Sequence, residues 1–288
     1  MIKRFLERVN PIDWTFIVYQ VVVSLHLLVF QNGFDHSFLY LAGHLLALAG
    51  SVLIVSYTGS NFIFRIIRYW YPAFTFGFFF TESNILNQMI FQGYGDDFFA
   101  RIDLTLFGTD PNAWLYERMN NSYFNEFIHF CYFSYYLLPT LLGAVLYIRR
   151  DRNFFHALFG MSITFYLCYI LYIWIPVLGP LHLRAGKFED GMLFVKIMDW
   201  LYTNADVPGA AFPSSHVAIA LITLLYVFRF QRNLFWAYLP LVAGLIFSTV
   251  YCFYHYVIDI FVGILIGLVI YYICSYFFER YFAESDFS

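Results

Sequence analysis

The run YVIDIFVGILIGLVIYYICSYFF, from Tyr256 to Phe278, decides the fold, because its 23 positions hold one charged residue, Asp259. As a helix rising 1.5 Å per residue, such a run reaches about 34 Å, enough to cross the roughly 30 Å hydrocarbon core of a bilayer. Working outward, seven more apolar segments predict membrane helices: about Trp14 to Gln31, Ser37 to Tyr57, Trp70 to Ile90, Tyr123 to Ile148, Phe154 to Ile175, Ala211 to Phe230 and Leu234 to Cys252. The Trp70 segment is the most polar, with Glu82, Asn84, Asn87 and Gln88 in its second half. Two longer connections remain, Phe91 to Ser122 and Pro176 to Ala210.

Composition agrees with this count. Of 288 residues 61% are hydrophobic, 24% aromatic and only 12% charged, whereas a soluble domain carries about a quarter charged residues to cover its surface. Lipid must solvate most of this chain. That excludes a cytosolic enzyme, a disordered chain, a disulfide-stapled secreted scaffold and a nucleic-acid binder. The net charge of −3 favours no polyanionic partner. Cys131, Cys168, Cys252 and Cys274 all sit in apolar runs without a C-x-x-C, as buried small hydrophobes would.

Eight crossings put both termini on one side. That side collects eleven basic residues (Lys3, Arg4, Arg8, Arg65, Arg68, Arg149, Arg150, Arg152, Arg229, Arg232 and Arg280), against five on the other (Arg101, Arg118, Arg184, Lys187 and Lys196). Basic residues concentrate on the cytoplasmic face. Both termini are therefore expected in the cytoplasm, and both long connections outside or in a lumen. The basic start Lys3-Arg4 is followed by no A-x-A-like cleavage site, so the first helix is expected to stay uncleaved. No internal repeat, low-complexity tract or Gly/Ser linker divides the chain. The expected fold is all-α: a polytopic membrane helix bundle of about eight spans in one domain, residues 1–288.

Two outward-side segments carry chemistry. In Gly209-Ala-Ala-Phe-Pro-Ser-Ser-His216, Pro213 and Ser214 signal a helix start. Unpaired N–H groups and the positive end of the dipole favour an anion there, beside His216. The plainer reading is a capped helix with an interfacial histidine. In Ser248-Thr-Val-Tyr-Cys-Phe-Tyr-His-Tyr-Val-Ile-Asp259, His255 and Asp259 are four apart. A helix running from His255 would set them on one face. A carboxylate on one imidazole nitrogen fixes the tautomer and raises the basicity of the other, the arrangement of an activated nucleophile. The alternative is a structural pair between helices. Two histidines and a carboxylate suit phosphoryl transfer, one imidazole attacking phosphorus and the other protonating the departing oxygen. Needing one imidazole neutral and one protonated, it predicts a bell-shaped pH profile around the ordinary value of about 6.5.

Pro213-Ser-Ser-His216 followed by S-x-x-Y-x-x-x-H-Y-x-x-D resembles the second and third signature motifs of the type-2 phosphatidic acid phosphatase superfamily. Three features resemble its branch that includes fungal inositol phosphorylceramide synthase. Ser248-Thr249 stands where the general pattern has Ser-Arg. Ile102-Asp-Leu-Thr-Leu-Phe-Gly-Thr-Asp-Pro111 resembles the branch's I-D-x-x-L-F-G-x-x-P. The 39-residue step from His216 to His255 is also similar. The resemblance spans about Arg68 to Phe278. It implies His255 as the nucleophile forming a phosphohistidine, Asp259 as its orienting partner, His216 as general acid, and Ser214 and Ser215 as the phosphate cradle. It implies lipid substrates and no metal or other cofactor. The family's first motif, Lys-x6-Arg-Pro, is absent as written; its place is Gly179 to Lys187, which nominates Arg184 as the phosphate clamp and Lys187 second.

Other residues carry weaker expectations. His26, His44, His129, Glu82 and Glu126 read as bonded across helices. Asp96, Asp97, Asp103 and Asp110, with Phe98, Phe99, Phe107 and Trp114, read as an interfacial helical segment. Tyr251 and Tyr256 flank the histidine, either lining the site or belonging to the aromatic belt. Three functions stay open besides headgroup transfer to a lipid alcohol such as ceramide. One is hydrolysis, with water as acceptor. Another is a proton-coupled transporter, which would be expected to carry inverted repeats. The last is a zinc site built from His216, His255 and Asp259.

Overall fold

A computed structural model describes residues 2–31, 36–59, 61–205 and 207–282. They form thirteen α-helices and no strand: α1 (Ile2–Arg8), α2 (Pro11–Val29), α3 (Ser37–Ser56), α4 (Phe62–Leu86), α5 (Asp96–Phe107), α6 (Pro111–Met119), α7 (Ser122–Phe133), α8 (Leu138–Ile148), α9 (Asn153–Trp174), α10 (Phe194–Ala205), α11 (Ser215–Phe230), α12 (Arg232–Tyr251) and α13 (Val257–Tyr281). The protein is a polytopic helical membrane protein.

Each of the eight predicted segments is helical. By length and apolar content, α2, α3, α9, α12 and α13 can each cross a membrane. α7 and α8, bent by 41° at their junction, make a sixth span if taken together. α11 is apolar but has 16 residues, about 24 Å of helix. α4 has 25 residues but carries Arg65, Arg68 and Glu82. It begins eight positions before the predicted Trp70, because the Asn61 side chain accepts the Phe64 N–H and caps it there. The connection after α9 also holds a helix that the sequence did not signal, α10. Its start is made by Glu126 of α7, whose carboxylate accepts the N–H groups of Met192, Leu193, Phe194 and Val195.

The centre of the bundle is α9, the most buried of the long apolar helices, packed against α2, α4, α8, α11 and α13. Its flanks hold two apolar clusters, one around Phe154, Phe155 and Tyr226, the other around Tyr19, Tyr166 and Tyr172. Polar side chains inside the bundle pair across helices. Asp13 caps α2 by accepting the Asn10 N–H and takes both Nη atoms of Arg68 at 2.9 Å. His44 lies between Gln20 and Glu82, with Nδ1 2.5 Å from Gln20 Oε1 and Nε2 3.1 Å from Glu82 Oε1. His26 has no hydrogen-bond partner among the described residues. The four cysteines are free and buried.

The helix ends sort into two sets. At one, Arg149 donates to Gln231 (2.9 Å) and Arg229 pairs with Glu279, joining the α8–α9 and α11–α12 turns to the end of α13. At the opposite end lie α5, α6, α10, the start of α11 and the α12–α13 turn, which carry both candidate histidines.

α11 and α13 approach each other backbone to backbone. A Cβ on Gly263 would meet the Ser214 carbonyl oxygen at 2.7 Å, and one on Gly267 the Ala218 carbonyl oxygen at 2.9 Å. Gly263 and Gly267 are one turn apart and meet residues one turn apart, the small-residue spacing that lets membrane helices approach backbone to backbone. Gly263→Ala is therefore expected to destabilise the protein by about 1–3 kcal/mol through overpacking. Gly43→Ala on α3, where nothing lies within 4 Å, should leave stability unchanged or raise it by up to about 1 kcal/mol through helix propensity. Thermal unfolding of the two variants in detergent checks the contrast.

Candidate active site

His255 stands in a turn rather than on a helix. α12 ends at Tyr251 and α13 begins at Val257, so the expected single face for His255 and Asp259 does not exist. Phe253, at φ +63°, reverses the chain. The reversal is closed by the Tyr254 and His255 N–H groups, both donating to the Thr249 carbonyl at 3.0 Å. Asn112 of α6 then spans the turn, its Nδ2 donating to the carbonyls of Val250 (2.7 Å) and His255 (3.1 Å). Asp103 of α5 accepts the first two N–H groups of α13, from Val257 (2.6 Å) and Ile258 (3.2 Å). Burial holds the Asp103 carboxyl above the usual aspartate range, and these two N–H groups offset only part of the rise. Asp96 accepts the N–H groups of Leu178 and Gly179 and the Tyr256 hydroxyl.

The turn delivers His255 to Asp259 all the same. His255 Nδ1 is 2.8 Å from the Ala211 carbonyl oxygen and 3.5 Å from Asp259 Oδ2. Both neighbours only accept, so Nδ1 carries the proton and the lone pair sits on Nε2. The stronger orienting bond is thus the Ala211 carbonyl, a partner invisible in the sequence. Asp259 Oδ2 also accepts the Tyr256 N–H (3.0 Å), and its backbone carbonyl accepts the Ser214 N–H (3.2 Å). One residue therefore ties the starts of α11 and α13 together.

His216, in the first turn of α11, packs its ring on Tyr135 (4.2 Å between centroids) and Tyr132 (4.8 Å), and faces His255 at 5.8 Å. Ser214 is the N-cap, its hydroxyl oxygen accepting the Val217 N–H. Both imidazoles and Ser215 open onto a cavity of about 260 Å³. Its other walls are mostly apolar and aromatic, reaching Phe76 and Phe80 of α4 and Phe165 and Tyr169 of α9. Tyr254 also lines it, and the Tyr254 hydroxyl is buried with no hydrogen-bond partner among the described residues.

The two nominated cations do not line this cavity. Arg184 is buried behind Tyr254, its guanidinium 5.3 Å from that ring and 4.4 Å from Phe188. It donates to Asp199 (2.6 Å), His129 Nε2 (3.0 Å) and the Cys252 carbonyl (3.2 Å). Lys187 lies over the Tyr116 and Phe253 rings. Tyr251 and Tyr256 do not line it either; their hydroxyls donate to Asn125 (2.6 Å) and Asp96 (3.2 Å). Among the described residues, no group of three or more His, Cys, Asp or Glu is arranged to hold a metal ion, and His216, His255 and Asp259 do not make one.

Sequence reading missed Asn112, Asp199 and Tyr254, and read His129 as bonded across helices without its partner Arg184. It placed Asp96 and Asp103 in an interfacial segment but not in the support of the turn. The segment does carry exposed Phe98, Leu104 and Phe107 on one side, with Phe99 and Asp103 buried on the other. The Ile102–Pro111 pattern was the available signal for Asp103.

A family model described as the PAP2 superfamily matches residues 99–273, more than half of the chain. No curated protein and no solved structure matches it.

Asn112→Ala leaves the buried His255 carbonyl unpaired, with the Val250 carbonyl still accepting the Phe253 N–H, and is expected to cost about 1–3 kcal/mol. Turnover should fall with it, because His255 loses its mount. Asp97→Ala, at an exposed position on the same connection, is expected to stay within about 0.5 kcal/mol. Melting temperature and activity measured together on both variants check this.

Proposed function

The chain belongs to the PAP2 superfamily, and from that membership and the paired imidazoles we propose an integral-membrane lipid phosphotransferase that works through a phosphohistidine. The family makes it a phosphatase- or phosphotransferase-type lipid enzyme. Our finer reading is transfer of a phosphoryl-headgroup from a phospholipid such as phosphatidylinositol to a lipid alcohol such as ceramide. The observation that carries it is the cavity: two histidines in its wall, and beside them the apolar side chains of Phe76 and Phe80 of α4 and Phe165 of α9. Such a pocket suits a ligand polar at one end and apolar along its length. Its apolar walls also disfavour bulk water as acceptor, which supports transfer over hydrolysis.

The chemistry follows from the two rings. His255 Nε2 attacks phosphorus, and the bond to the lipid alcohol breaks. His216, protonated, gives its proton to the departing oxygen and is left neutral. The headgroup phosphate now sits on His255, whose Nδ1–H still faces the Ala211 carbonyl and the Asp259 carboxylate. The acceptor hydroxyl then attacks phosphorus, His216 takes its proton, and the P–N bond breaks to regenerate both histidines. Phosphoryl oxygens would be held by the first turn of α11, Ser215 and the Tyr254 hydroxyl. Arg184 adds positive potential from behind the Tyr254 ring. The asymmetry of basic residues supports placing this end of the bundle on the extracytoplasmic side.

Purified protein given phosphatidylinositol and ceramide in water, with products read by mass spectrometry, tests the reading. Formation of a phosphoceramide with matching diacylglycerol is the expected outcome; free headgroup phosphate without a new lipid would make the protein a hydrolase. His255→Ala and His216→Ala are each expected to reduce turnover by about 10²–10⁴-fold or more while the protein still inserts. Normal turnover in His255→Ala would overturn the mechanism. The pH dependence of turnover should be bell-shaped, since one imidazole must be neutral and the other protonated.

A further inference from the structure

A second cavity, of about 470 Å³, lies at the end of the bundle opposite the catalytic histidines. Its walls come from the end of α1, the α3–α4 connection, the start of α4 and the end of α8, all remote from the reaction. Four arginines line it, Arg8, Arg65, Arg68 and Arg150, and no Asp or Glu does. Arg68 is neutralised by Asp13 and also donates to the Arg8 carbonyl. The side chains of Arg8, Arg65 and Arg150 make no hydrogen bond or ion pair with any described residue. Arg150 holds this position at φ +50°, a left-handed conformation that Gly or Asn adopts more readily.

Three guanidinium groups with no counter-charge among the described residues, set around one concavity, repel each other unless an anion sits among them. Guanidinium groups match phosphate oxygens bidentately. The rim is apolar: Phe62 is 66% and Ile148 79% exposed, and both border the cavity. Charge inside and exposed hydrocarbon at the edge describe the two ends of an amphiphile. The volume also exceeds what a free phosphate needs.

We infer that this cavity binds the phosphate headgroup of an anionic phospholipid, with the acyl chains running over Phe62 and Ile148. The site joins the α3–α4 connection to the end of α8, so a bound lipid clamps the N-terminal helices onto the rest of the bundle. It is separate from the substrate cavity and does not depend on the catalytic reading.

The test uses the full chain in a neutral detergent. It is titrated with dioleoylphosphatidylglycerol, dioleoylphosphatidylcholine and inorganic phosphate, and bound lipid is counted by native mass spectrometry. The wild type should retain one more phosphatidylglycerol than the Arg8→Gln, Arg65→Gln, Arg150→Asn triple variant. A lipid held in the substrate cavity is common to both and cancels. At about five-fold per arginine, the triple variant should bind phosphatidylglycerol about a hundred-fold more weakly, with phosphatidylcholine unchanged. Equal retention by the two proteins, equally tight phosphatidylcholine, or occupation by inorganic phosphate in preference to the lipid would each overturn the inference. If the triple variant does not insert, Arg65→Gln alone decides, since Arg65 is exposed and makes no hydrogen bond or ion pair among the described residues: a change of less than two-fold there overturns it too.

Discussion

The backbone contact between α11 and α13 is the constraint on which the site depends. Two glycines one turn apart remove the side chains that would hold the helices at ordinary spacing. At that distance the Asp259 carbonyl can accept the Ser214 N–H. The hydrogen bond satisfies one of the unpaired donors at the start of α11 and sets the register of the two helices. His216 rides on the first turn of one, and Asp259 on the first turn of the other. His255, in the turn before α13, is brought to 5.8 Å from His216 only because these two starts are locked.

That lock would be of little use without a rigid turn. The segment from Cys252 to Tyr256 leaves the helical pattern, and its buried carbonyls and N–H groups must find other partners. The Tyr254 and His255 N–H groups find the Thr249 carbonyl and the Tyr256 N–H finds Asp259, while α5 and α6 brace the two ends of the turn. Asn112 takes two carbonyls and Asp103 two N–H groups. Asp96 reaches the Tyr256 hydroxyl and also ties down the loop after α9. The connection that reads as an interfacial segment is therefore also the scaffold of the His255 turn. Its outer face exposes Phe98, Leu104 and Phe107, and its inner face holds the turn.

The missing cation is the other point at which tertiary structure matters. A phosphoryl group carries negative charge into an apolar cavity, and burying charge without a partner is costly. Arg184 lies behind the Tyr254 ring, held by Asp199, His129 and the Cys252 carbonyl. Arrangement behind an aromatic ring fixes a guanidinium without exposing it to lipid. The Tyr254 hydroxyl lies in the same wall, buried and without a hydrogen-bond partner among the described residues.

The sequence by itself determined the membrane-embedded helical architecture, because a bilayer admits backbone only as helices or closed barrels, and long runs such as Tyr256–Phe278 announce helices. It also exposed His216, His255 and Asp259, since a Pro-Ser cap before a histidine and a four-residue His–Asp step are local patterns. Local patterns stop where the chain leaves the helix. Neither the Ala211 carbonyl that orients His255, nor the Asn112 and Asp103 side chains that carry its turn, lies near it in sequence. Asn112 stands 143 positions from His255, and no periodicity links them. Only the folded bundle decided those partners, because buried backbone groups in a turn accept whatever donor or acceptor the packing brings within reach.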